Sequence, residues 1–581
     1  MTARENLIWG AVGMTALALA ATLGPGCGGS SASSPGPQQT YGGYAGKSGS
    51  GGTGRGGAAA GVTPGSGGGS GVPLPPETEV ESSFEAPVAT GRYVWVANPA
   101  SGRVAYIDAS TLAVKTAEAG NAPTTLGVVP GATDTVIVLN RLSHDATLMQ
   151  AAAGGQLVAT MISGIAPLAN AWAISPDGRV AIAWTDSRAA LADPKRKDSL
   201  EGFQDLTVID LAARPPAATT LAVGYRPVSI TFARGGREAF VVTGDGISVV
   251  ALPAATPTAV PPTGGASAVA VTREVALSTD PSETADGRDV NVTSAGLAVV
   301  RRDGSSEVRL VDLTTGMRGA VAMSGPVTDV DVTPDGARAV AVVRQTSEIA
   351  IMPLATALSA PETVLREVID GELVGSVVLT SDASTAVLFS NATDAERLTV
   401  VDVATGTYRI LPVHAPVLSV EPTPDGRFAV IVHKVASAPA GSGGSSGTSG
   451  PSGNATSAAV AANAFSVIPL DGSRSGRIQE TVAPPNAIAI AAGSDRALVT
   501  VRDDKGSVFG AYVVGIPSLD ITTVGLGSPP IATGVAAEAN RGFVAQSHPE
   551  GRITFIPFAA GEPQTLTGFD LAARVVDGVA P

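Results

Sequence analysis

The chain has 581 residues, a formal net charge of −14, 44% hydrophobic and only 15% charged residues, with 70 Gly, 42 Pro and one Cys. A single Cys excludes an internal disulfide and a thiolate-built metal site, and an acidic balance with few Lys argues against a nucleic-acid partner. So little charge leaves too few residues for the wet side of long surface helices, whereas abundant Gly and Pro suit short strands joined by tight turns.

Residues 1–26 read as a secretory signal peptide. Arg4 and the terminal amine form a weak positive start, and an apolar run follows from Leu7 to Leu23. At 1.5 Å per residue that run spans about 25 Å, short of the ~30 Å hydrocarbon core, and small residues follow it instead of a stop-transfer charge cluster. Directly behind it stands the sole Cys, in Leu23-Gly24-Pro25-Gly26-Cys27. The segment resembles a bacterial lipoprotein signal, although Gly24 stands where that pattern has Leu. The resemblance implies lipidation at Cys27 and attachment to a membrane. Gly28 after the Cys, where retained lipoproteins carry Asp, points to an extracytoplasmic place at the outer membrane, periplasmic or surface-exposed.

Residues 27–90 read as a Gly/Ser/Pro-rich disordered tether. Between 28 and 71, eighteen of 44 residues are Gly, and nothing there buries enough apolar area to offset the ordering of the backbone. From residue 91 to 581 the texture is a repeat. Apolar strands recur at Tyr93–Asn98, Thr135–Asn140, Val180–Trp184, Ala239–Thr243, Leu297–Arg301, Ala339–Arg344, Ala386–Asn391, Phe428–His433, Ala497–Arg502 and Gly542–Gln546. Each is followed by a second strand that often ends in Asp or Pro, such as Val104–Asp108, Leu206–Asp210, Val308–Asp312, Leu398–Asp402 and Ile553–Pro557. The turns Ser175-Pro-Asp-Gly178, Thr333-Pro-Asp-Gly336 and Thr423-Pro-Asp-Gly426 precede the main strand. Pro presets φ there, Asp bonds its own backbone and Gly takes positive φ, which makes these hairpin turns. Degenerate copies stand at Thr380–Ala383 and Arg234–Gly236.

A period of 40–50 residues with about four short strands is the signature of a β-propeller. The fold class is therefore all-β, a propeller of about ten four-stranded blades, either one large ring or two tandem propellers. The carriers Trp95-Val-Ala-Asn98, the S/T-P-D-G turns, and Val311-Asp-Leu-Thr-Thr-Gly316 with Val400–Gly406 make the body resemble the YVTN and lactonase-like propeller families. That likeness covers nearly the whole of 91–581 and speaks to architecture. Blade one begins without an obvious inner strand, and Phe569–Val576 ends the chain without a second strand after it. Pairing of these two ends is the expected closure.

In a four-stranded blade the loop after the second strand and the connection between blades open on one face. Three insertions fall there: Ser187–Gln204, Thr279–Asp289 and Val435–Asn463, the last of these low in complexity and read as a disordered stretch over 435–463. The strand ends on that face are polar, and Asn98, Arg141, Arg302, Arg344, Asn391, His433 and Arg502 are the candidate ligand-binding residues, with arginine forks suited to a carboxylate or sugar acid. The four His (His144, His414, His433, His548) lack metal-ligand spacing, and G-x-S-x-G, H-E-x-x-H and P-loop patterns are absent. No catalytic residue, metal or cofactor is assigned. The expected function is that of a lipid-anchored, non-enzymatic binding or scaffold protein of the cell envelope, with the membrane and a protein or glycan as partners. The alternatives are a lactonase-like hydrolase of a cyclic ester, which the family likeness implies, and a structural surface-array component.

Overall fold

A computed structural model describes residues 86–568, except 153, 187–202, 254–268, 281, 286 and 435–462. Cys27 and residues 569–576 lie outside the described residues. The described chain forms ten four-stranded antiparallel sheets, each with its strands in sequence order from the first to the fourth. The first strands of neighbouring blades adjoin one another around the axis, so the first strand is innermost and the fourth lies on the rim.

Burial explains why the second strands are the most legible part of the chain. In blade 1, Tyr93–Asn98 is buried along its whole length. Its side chains alternate between two seams: Val94 and Val96 pack toward blade 10, and Tyr93, Trp95 and Ala97 toward blade 2. A strand buried on both faces must be apolar on both, which erases the period of two that a half-buried strand would show. The rim strand Val114–Glu118 is partly exposed throughout, and its sequence VKTAE is correspondingly mixed.

The turns obey the chemistry read from their residues. In blade 3 the Ser175 hydroxyl donates to Asp177 Oδ1 (2.6 Å) and accepts the Val180 N–H (2.9 Å), while Gly178 takes φ +67. The Thr333 and Thr423 turns repeat the hydroxyl-to-Asp bond at 2.6 Å. The degenerate copy keeps Thr380 on Asp382 (2.6 Å) but forces Ala383 to φ +62. At the turns between third and fourth strands, Asp312 accepts the N–H groups of Thr314 (2.7 Å) and Thr315 (2.9 Å), and Gly316 closes the turn at φ +74.

Ten apolar clusters fill the ten seams between blades. One of them closes the circle, joining Val94, Val96 and Ile107 of blade 1 to Phe543, Ile553 and Phe555 of blade 10. The Arg541 guanidinium donates to the Ala109 carbonyl (3.0 Å) and the Glu538 N–H to the Gly91 carbonyl (3.0 Å) across the same seam. The molecule is thus one ring of ten blades, and the tandem alternative falls away. Blade 1 has its own inner strand, Val88–Ala89, paired with Trp95 and Val94. Two residues without a turn motif in front of them leave no recognisable pattern in the sequence.

Candidate functional site

The expected binding residues stand where the second strands end, on the face that also carries the connections between blades. They come from seven blades, and most are occupied in holding the ring together. Asn98 is fully buried, and its Oδ1 accepts the N–H groups of Ala100 (2.9 Å) and Ser101 (3.4 Å), capping its own turn. Arg302 pairs with Glu283 (3.2 Å), and Arg502 with Asp504 (2.7 Å) and the Pro530 carbonyl of the next blade (3.2 Å). Asn391 Nδ2 donates to the Leu418 carbonyl (3.4 Å), also of the next blade. Arg344 is half-buried, with an Nε that has no hydrogen-bond partner, and Arg141 is exposed.

His433 shows what these strand ends do. Its Nε2 lies 2.6 Å from Ser466 Oγ, and its Nδ1 lies 3.2 Å from the Pro416 carbonyl. A histidine on a serine hydroxyl, oriented by a third group, has the form of an activated nucleophile. Two observations decide against that role. Both side chains are buried, at 3% and 2% exposure, which leaves a substrate no approach. The same register position also carries a hydrogen-bonded pair in other blades: Asn140 on Thr147 (2.9 Å) in blade 2 and Gln546 on Thr554 (2.7 Å) in blade 10. The pair is a buried rung between second and third strands. Burial pushes the His433 imidazolium down to about 4, so the ring is neutral at neutral pH.

The rung residues that the sequence reading passed over are the third-strand hydroxyls. Thr147, Thr207, Ser248, Thr399, Ser466 and Thr554 share one register position, and all are buried. Thr207 accepts the Ala166 N–H (2.9 Å) and Ser248 the Gly224 N–H (2.9 Å), tying the incoming connection to its blade. The signal was present in strands such as Leu206-Thr-Val-Ile-Asp210 and Leu398-Thr-Val-Val-Asp402, with the hydroxyl three residues before the Asp.

The inner strands form the wall of the central channel, and their channel-side edges lack a sheet neighbour. Side chains supply the missing partners. Trp172 Nε1 donates to the Thr125 carbonyl (3.0 Å). Asp329 accepts the Val377 N–H (2.9 Å) and Asp331 the Leu379 N–H (3.1 Å), each gripping the inner strand of the next blade. Each also takes the N–H of the following residue on its other oxygen, Val330 (2.9 Å) and Val332 (2.8 Å). Burial pushes both carboxyls up to about 6, against the pull of these backbone donors; Asp331 adds to the effect at Asp329, and Asp289 at Asp331. Among the described residues no group of three His, Cys, Asp or Glu side chains is placed to hold a metal ion.

Of the three insertions, only that at Thr279–Asp289 lies largely within the described residues. It borders a groove of about 360 Å³ against the outer strands of blade 5, lined by Ser278, Asp280, Glu283, Arg309 and Arg318 among others. One oxygen of Glu283 accepts from Arg309 (2.7 Å) and Ser278 (2.9 Å) and faces Arg302 (3.2 Å). Burial works against that carboxylate, but these hydrogen bonds and cations hold it below its ordinary value. The groove is thus largely self-neutralised. Ser187–Gln204 and Val435–Asn463 fall almost wholly outside the described residues; the chain leaves the ring at Asp186 and Lys434 and returns at Phe203 and Asn463, on that same face. A fourth long connection joins the strands Ile247–Ala251 and Ala270–Val275, whose facing ends lie on the opposite face; its residues 254–268 lie outside the described residues.

No family model and no curated protein matches the chain. Among solved structures it is similar to the dihydro-heme d1 dehydrogenase NirN, with 18% identity and a TM-score of 0.33, over 56% of this chain and 65% of that one. It is also similar to hydrazine synthase of Kuenenia stuttgartiensis, with 16% identity and a TM-score of 0.30, over 58% of this chain and 96% of that one. The chain therefore spans just under two thirds of the first of these proteins.

Proposed function

We propose that the chain is a YVTN/lactonase-like β-propeller anchored in the cell envelope by a lipid on Cys27, and that it binds a protein or glycan without catalysing a reaction. The observation that carries this reading is the division of labour on one face of the ring. Three elongated connections leave the ring there, while most of the polar strand ends beneath them are already engaged between strands or between blades. Variable loops on a rigid scaffold are the usual carriers of recognition, whereas a hydrolase would need an accessible acid, base or nucleophile with its partners in reach.

The test uses the full chain with Cys27→Ser, so that no lipid contributes, and a variant of it in which residues 188–201 and 436–461 are each replaced by a short Gly-Ser bridge. The reading expects both to melt alike, and only the full chain to sediment with isolated envelope fragments. Equal binding by the loop-shortened chain would overturn it, as would steady turnover of simple five- or six-membered lactones. Cys27→Ala is expected to move the protein from the membrane fraction to the soluble one; an unchanged distribution would refute the anchor alone.

A further inference from the structure

The rim of the ring exposes ten fourth strands, each with one unpaired backbone edge. Natural sheets guard such edges with charge, and most of these strands do: Val114–Glu118 carries Lys115 and Glu118, Ala270–Val275 carries Arg273 and Glu274, and Arg477–Glu480 carries Arg477 and Glu480. The fourth strand of blade 2, Leu157–Ser163, is different. It reads LVATMIS, pairs over all seven residues with the third strand, and has no charge. Val158 is 58% exposed and Met161 64% exposed, and no other uncharged rim strand among the described residues presents large aliphatic side chains in this way.

The strand is also complementary to itself. Placed antiparallel to a copy about a two-fold axis at Thr160, it sets Val158 opposite Ile162 and Ala159 opposite Met161, each contact occurring twice. Thr160 meets Thr160, a cross-strand pair that hydrogen-bonds favourably. Ile162 is anchored in the seam with blade 3 and Leu157 packs on the seam with blade 1, so the strand is fixed near both ends. Two bodies that each carry a net charge of −14 repel, and they approach most easily where neither presents charge.

We propose that the chain self-associates through this edge, the Leu157–Ser163 strands of two copies pairing antiparallel around Thr160 to join two blades into one eight-stranded sheet. The interface is isologous, as two-fold association requires. A single seven-residue strand pair falls below the roughly 1,200 Å² of a standard interface, so the dimer forms weakly, with a dissociation constant on the order of micromolar or above. The inference uses the rim and is independent of the loop-bearing face.

The test is sedimentation equilibrium on the full chain with Cys27→Ser. The weight-average mass of this protein should rise toward twice the monomer value between about 1 and about 100 μM. Met161→Lys and Ala159→Glu should each hold the mass at the monomer value. Mixed one to one, these two variants should regain the dimer, because the register sets the ammonium introduced at Met161 of one copy against the carboxylate introduced at Ala159 of the other. Thr219→Lys, on the rim strand of blade 3, should leave association unchanged. A mass that stays monomeric over the whole range would overturn the proposal, as would a dimer indifferent to Met161→Lys. A mixture that does not recover would overturn the register, and loss of the dimer with Thr219→Lys would overturn its assignment to this strand.

Discussion

Replacing Asp331 by Asn isolates the cost of a carboxylate on the channel wall. In the folded ring burial holds this group at about 6, against 3.8 as its ordinary value. Between those two pH values the folded chain binds a proton that the unfolded chain has released, so stability falls as pH rises from about 4 to about 6 and is level beyond. At about 1.4 kcal/mol per pH unit the full effect is about 3 kcal/mol, and the partial exposure of the side chain reduces it to about 1–3 kcal/mol. Asn has no such titration, but it has only one acceptor oxygen for the two N–H groups of Val332 and Leu379. An orphaned donor costs about 1–3 kcal/mol at every pH. Asp331→Asn is therefore the less stable protein at pH 4.5 and close to wild type at pH 7.5. For a ring of this size melting as one unit, about 1–3 kcal/mol corresponds to about 1–3 °C. Differential scanning calorimetry of both proteins at four pH values between 4.5 and 7.5 reads the gap. A gap that stays constant, or widens toward neutral pH, would refute the reasoning.

His433 shifts the opposite way. Its buried ring stays neutral down to about 4 when folded but takes a proton near 6.5 when unfolded, so its contribution is whole above 6.5 and is lost as pH falls toward 4. His433→Gln, copying the Gln546–Thr554 pair of blade 10, should keep a bond to Ser466 and narrow the drop in melting temperature between pH 7.5 and 5. An undiminished drop would show that another group is responsible. Ala383→Gly should raise stability by up to about 1 kcal/mol in urea unfolding, because Ala383 at φ +62 carries a left-handed penalty that Gly avoids; a loss of stability would contradict this. The seam between blades 9 and 10 holds four buried apolar side chains, and that between blades 5 and 6 holds fifteen. Native-state hydrogen exchange should therefore open the amides around Leu498 and Val544 before those around Val299 and Ala341, and the reverse order would show that cluster size does not set seam stability.

The strands that could be read from the sequence are those whose surroundings leave one solution. Tyr93–Asn98, Thr135–Asn140, Val180–Trp184 and Phe428–His433 begin and end where their apolar runs do, because a second strand is buried on both faces. Inner strands were harder to see. Asp329–Val332 is half polar because its Asp side chains accept backbone N–H groups from the inner strand of the next blade, which has no sheet neighbour on that side. Closure into one ring was out of reach as well, since the bond from Arg541 to Ala109 joins residues 432 apart in the chain. The candidate site was the least legible part. A polar residue at a strand end reads the same whether water or a buried hydroxyl awaits it, and Asn98 and His433 proved to be buried. For His433 the discriminating sign lay on the adjacent strand, in the recurrent Thr or Ser that it meets; blade 1 has Ala105 at that position, and Asn98 turns back on its own loop.

The single closed ring is the premise on which the loop-bearing face, the channel wall and the free rim all depend. It is tested most directly by cross-linking Ala109→Cys with Arg541→Cys, with Cys27 replaced, using a short bis-maleimide and identifying the linked peptides by mass spectrometry. One closed ring predicts a rapid intramolecular link between residues 109 and 541. Two tandem propellers would leave these two positions unlinked, each cysteine carrying only a singly attached maleimide.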